Sequence, residues 1–180
     1  RAGEAPHRVP ILRAVDWWAR TLDQLQVRVV YRSHIDPENP PDADEVIWAV
    51  GSTPAQSAVW RRRPHLLDGI PGTQGCPHGR EVLNGSAAVA GRVLIIDEEN
   101  GWPTLSLAET LAAAPAVEGV TVATPVAHPA FPELAFSVEA DEVVRRLGAA
   151  SVAVHGGATV DSVRDNKATL TSGATLGPFD

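Results

Sequence analysis

Methionine is absent from all 180 residues, position 1 included, and cysteine occurs once, at Cys76. A single thiol permits no internal disulfide and cannot by itself hold an iron–sulfur cluster. With His78 it would make at most a weak metal pair, and a loop cysteine with no ligand role is the simpler reading. No apolar run reaches the roughly 18 residues that a membrane span requires. No charged-then-apolar leader opens the chain, so a cytoplasmic location is expected. Positive charge is scarce: the formal net charge is −7, and no basic run exceeds Arg61-Arg62-Arg63. That argues against nucleic acid and anionic membranes as main partners. There is no internal repeat and no low-complexity stretch. The missing methionine, and a final Leu176-Gly-Pro-Phe-Asp180 that stops where another strand is expected, lead us to expect a piece of a longer protein.

What is present is a strand-and-helix alternation. Val9, Leu12, Val15, Trp18, Leu22 and Leu25 recur at spacings of three and four, which predicts an amphipathic helix. The β-branched run Val27 to Tyr31 predicts a strand. Residues 34–44 carry Pro37, Pro40 and Pro41 among several acids and predict a loop. Glu45 to Val50 is a short apolar run that predicts a buried strand. Residues 51–90 are rich in Gly, Pro and charge and read as a connector. Then follow a predicted strand at Gly91–Asp97, a helix at Thr104–Ala114 and a strand at Gly119–Thr124. Ser106 and Glu109 have the spacing of a capping box, with Thr104 as the alternative cap. Ser137 is expected to cap a helix ending at Leu147, with Gly148 as its stop. Ser151–His155 predicts a strand. Residues 159–171 alternate as a hairpin across Asp165-Asn166. The order β-α-β-α-β from residue 91 implies parallel strands and an α/β, Rossmann-like fold with a small β-meander.

The decisive absence lies between the first strand and its helix. A dinucleotide-binding turn needs glycines, and here stands Glu98-Glu-Asn-Gly-Trp-Pro103. Counting back from Glu109, the G-x-G-x-x-G positions fall on Trp102, Thr104 and Leu107. Their side chains fill the space that a tight turn and a pyrophosphate require. Asp97, Glu98 and Glu99 add negative charge where a helix N-terminus would attract an anion. Two unit charges 4 Å apart interact at roughly 4 kcal/mol at an effective dielectric near 20. Either one of these acids occupies the anion position itself, or the three form a solvated acidic loop. At the end of the second strand, where Asp, Glu or Arg would read the ribose, the chain has Thr124-Pro125, and nearby His128 reads as a loop residue.

Catalytic sets are not evident. Gly-x-Ser-x-Gly does not occur. His155 ends a strand without a nucleophile motif beside it, so a structural role is favoured. Trp17, Trp18 and Trp48 fall in predicted helix or strand and suit core packing. Trp60 and Trp102 fall in predicted loops and are the better candidates for contact with another domain or subunit.

Several short motifs occur in an order that resembles the two-dinucleotide-domain flavoproteins. Ala49-Val-Gly51-Ser-Thr53-Pro54 is similar to their ATGxxP turn, Ile70-Pro71-Gly72 to the IPG of their connector, and Glu81-Val82-Leu83 to a short segment before the second domain. Leu105-Ser-Leu-Ala-Glu-Thr-Leu-Ala112 resembles the PSLAEKLA-type helix of old-yellow-enzyme-like flavin oxidoreductases of the trimethylamine dehydrogenase, histamine dehydrogenase and 2,4-dienoyl-CoA reductase type. In the trimethylamine dehydrogenase branch the second glycine fingerprint is also lost.

The resemblance implies residues 1–54 as the tail of an FAD-type domain, 55–90 as connector and 91–180 as an NAD(P)H-type domain. Gly51, Thr53, Asp97, Trp102, Thr104 and Thr124 then mark the positions of a degenerate cofactor site. No cofactor is expected on this piece and no metal ligand is assigned. The implied parent carries FMN and a 4Fe-4S cluster, with FAD or ADP as a further group. Its flavin-bearing barrel is the implied partner, with an electron-transfer protein as another. Three roles follow as expectations: a structural or docking domain, a working NAD(P)H-binding domain that delivers hydride to a flavin, or an interaction module for an electron-transfer partner.

Overall fold

The computed structural model describes residues 9–51, 69–98, 101–126 and 140–180. Its elements are α1 (Val9–Gln24), α2 (Gly79–Leu83), β1 (Gly91–Ile96), α3 (Trp102–Ala112), β2 (Val117–Thr124), α4 (Ala140–Ala149), β3 (Ala153–Gly156), β4 (Val160–Arg164), β5 (Lys167–Leu170) and β6 (Thr175–Leu176). The fold is mixed α/β. Strands β1, β2 and β3 form a parallel sheet in that order, and β4, β5 and β6 form a separate antiparallel sheet.

The alternation of side chains along each strand explains the layering. Ile95, Val120, Val122 and Val152 join Leu105, Ala108 and Leu111 of α3 and Val143 and Leu147 of α4 in one core. On the other face of the sheet, Leu94, Ile96 and Ala123 pack with Val160, Ala168 and Leu170 of the meander. A strand buried on both faces reads as the near-continuous apolar run seen at β1.

Two boundaries differ from the sequence expectation. Helix α3 begins at Trp102, earlier than the caps proposed at Ser106 and Thr104. Gly101 is extended at the N-cap and Pro103 sits in the first turn, where its missing N–H costs nothing. Ser106 and Thr104 therefore lie inside the helix. Helix α4 runs through Gly148 to Ala149, and Ser151 takes the left-handed conformation instead (φ 56°). Ser137, the proposed cap of that helix, lies outside the described residues.

The larger correction concerns residues 27–31 and 45–50. Neither forms a strand, and none of residues 10–51 is buried. Ile47 is 88% exposed, and Trp17 and Trp18 are more than half exposed. A strand has no hydrogen bonds of its own and exists only beside a neighbour. Among the described residues these two segments have no ladder partner, so β-propensity alone leaves them outside any sheet. Trp17, Trp18 and Trp48 consequently do not serve as core residues.

The hairpin is as the sequence predicts. Asp165 and Asn166 both have positive φ, 48° and 59°, which is the geometry that matches the twist of the flanking strands. Asn tolerates this conformation and a β-branched residue does not. Asn166→Val is expected to lower unfolding free energy by about 1–2 kcal/mol in a urea titration.

The tail ties the meander to β1. Phe179 N–H donates to Asn166 O and Asp180 N–H to Arg92 O. The Asp180 carboxylate accepts the Arg92 backbone N–H at 2.8 Å, and the Arg92 guanidinium stands at 3.4 Å. Gly91 is required beside it: a Cβ there would meet Asp180 Oδ2 at 2.6 Å. The Arg92 amide, aided by its guanidinium, holds the Asp180 carboxyl below its ordinary range. A depressed acid stabilises the fold above its unfolded-state value and loses that contribution as pH falls through the folded value. The thermal midpoint of the parent chain should therefore approach that of Asp180→Asn as pH is lowered below about 4. A gap that stays constant to pH 2.5 would count against this contact.

Candidate functional site

Ligands of open parallel sheets bind beyond the carboxyl ends of the strands. In this chain those ends are Asp97 after β1 and Thr124 at the end of β2, with the first turn of α3 facing them. The Asp97 backbone continues the ladder by donating its N–H to Ala123 O at 2.9 Å. This fixes the side chain next to α3. Asp97 is 2% exposed and Thr104 is also buried. Thr104 Oγ1 donates to Asp97 Oδ1 at 2.7 Å.

This hydrogen bond joins the strand end to the helix start. It also puts a carboxylate against the first turn of α3, where backbone N–H groups and the helix dipole favour an anion. Asp97 is buried and bonded to α3, so it is not a solvated loop acid. Glu98 is half-buried, and Glu99 lies outside the described residues.

Trp102 opens α3 and packs against the α3–α4 side of the sheet. It is half-buried there, packed in part against its own core. Thr104 supplies the hydroxyl just described. Leu107, at the third glycine position, is buried in the same core. Thr124 is fully buried. Its Oγ1 accepts Val126 N–H at 3.4 Å, and its backbone oxygen accepts Ala158 N–H at 2.8 Å. Gly157 N–H donates to Val126 O at 2.8 Å. The chain entering the meander thereby covers the end of β2, where a ribose would be read. Gly51 has φ 73° with open space around it, as a glycine turn requires, and is exposed. Thr53, Trp60 and His128 lie outside the described residues. The structure brings together Asp97 and Thr104, with Trp102 in the same first turn of α3 and Thr124 on the neighbouring strand.

An ion pair ties α3 to α4. Arg146 Nε of α4 donates to Glu109 Oε1 of α3 at 2.6 Å, and both side chains are largely buried. Glu109, proposed from spacing as a capping acid, is thus an inter-helix partner. On α4 itself, Arg145 holds the exposed Glu142 below its ordinary range, an i,i+3 contact of small energetic weight.

Sequence reasoning missed two structural devices. His78 caps α2: its Nδ1 accepts Arg80 N–H, and Glu81 returns the bond to the His78 amide. The spacing of a capping box was there to be read, with histidine in the place of the usual hydroxyl or carboxamide. Ile70-Pro71-Gly72-Thr73 is a tight turn closed by Thr73 N–H on Ile70 O at 3.1 Å. It docks on the meander through Val163 N–H to Pro71 O at 2.8 Å.

A cavity of about 370 Å³ lies on the meander side of the parallel sheet, with Arg92, Thr121, Ala153, His155 and the tail at Leu176–Phe179 along its walls. His155 is exposed there. No group of three or more metal-ligating side chains occurs among the described residues, and none of their helices is long and apolar enough to cross a membrane.

No protein-family model matches the chain, and neither does any curated protein sequence. Solved structures do. The 2-naphthoyl-CoA reductase in complex with 2-naphthoyl-CoA superposes on 99% of this chain with a TM-score of 0.70 at 11% identity. The 6-hydroxypseudooxynicotine amine oxidase from Pseudomonas geniculata N1 matches 59% of it with a TM-score of 0.51 at 23% identity. At such identities the likeness is one of fold. The chain spans 25% of the reductase and 16% of the amine oxidase.

Proposed function

We propose that this chain is the nucleotide-domain region of a flavin-dependent oxidoreductase, and that it serves there as a structural and docking domain which no longer binds a dinucleotide. The observation that carries this reading is the Asp97–Thr104 hydrogen bond at the head of α3. A pyrophosphate needs bare main chain and a positive end of the helix at that point. Here it would meet a buried carboxylate already bonded to the helix, with threonine and tryptophan in place of the glycines. A dinucleotide does not fit these residues, and no hydride step is routed through one.

Support for the parent type comes from the shared fold with a CoA-ester reductase and an amine oxidase, both much longer chains. The motif order Ala49 to Pro54, Ile70 to Gly72 and Leu105 to Ala112 points the same way. On this reading residues 91–180 are Rossmann-like, residues 1–54 are the tail of an FAD-type domain, and residues 55–90 connect them. FMN, a 4Fe-4S cluster and any FAD or ADP belong to the rest of the parent, whose flavin-bearing barrel is the docking partner. The redox chemistry is the cofactors' own.

Isothermal calorimetry with NADH, NADPH, ADP and FAD tests the reading. No saturable heat is expected from any of the four. A dissociation constant in the low micromolar range for NADH or NADPH would replace it with the hydride-delivering alternative.

A further inference from the structure

We draw no further inference here: the strongest candidate, the exposed apolar flank of α1 together with residues 27–50, including Trp17, Trp18, Tyr31 and Ile47, carries nothing because nothing in the structure shows what covers it.

Discussion

Gly72→Ala is expected to lower the stability of this chain by about 3.5–6 kcal/mol, a large share of the roughly 5–15 kcal/mol that a domain possesses. Gly72 has φ 87°, and a Cβ built there would lie 1.8 Å from the backbone oxygen of Val163. Backbone cannot swing aside as a side chain can. The turn would have to lift off β4, lose the Val163 N–H to Pro71 O bond and draw Ile70 out of the meander core. A lost hydrogen bond contributes about 1 kcal/mol and an exposed Ile about 1.5–3 kcal/mol, with the left-handed backbone adding about 1–2 kcal/mol. Gly75 is the control. It has nearly the same φ, 84°, and nothing within 4 Å of its Cβ position. Gly75→Ala should cost only the conformational part, about 1–2 kcal/mol. Equal urea midpoints for the two variants would refute the docking of this turn on β4.

Leu105→Ala should cost about 2–5 kcal/mol, since Leu105 is 1% exposed and sits between α3 and the parallel sheet. The close packing of Ala108 and Leu111 around it limits collapse of the cavity. Ile47→Ala removes as many carbons from a residue that is 88% exposed, and should change stability by no more than about 0.5 kcal/mol. The pair, measured by denaturant unfolding of this same chain, decides whether residues 27–50 contribute to its core. A cost above about 2 kcal/mol for Ile47→Ala would mean that they do.

The site was legible as an absence before it was legible as a structure. Glycines missing at Trp102, Thr104 and Leu107 could be counted in the sequence, and so could the acids at 97–99. Which acid approaches the helix could not. That depends on the ladder bond from Asp97 to Ala123, which aims one side chain inward at the helix. Trp102 falls in a predicted loop because the sequence places the helix start at Thr104, whereas α3 begins at Trp102 with Pro103 in its first turn. The Ile70-Pro71-Gly72 motif was visible as part of the connector, but its turn and its seat on β4 were not, since that seat joins residues some 90 positions apart.

Local chemistry in the sequence determined the parallel order of β1, α3, β2, α4 and β3, because apolar runs of strand length alternate with helical periodicity. It determined the Asp165-Asn166 hairpin too, since few residue pairs accept two positive φ values in succession. Helix starts, the fate of Val27–Tyr31 and Glu45–Val50, and the partner of each buried acid were decided only by tertiary structure. Those outcomes rest on which groups meet across space: a strand needs a neighbour's amides, and a carboxylate buried beside a helix needs a donor. Propensity describes what a segment can become, and the contacts available to it select what it does become.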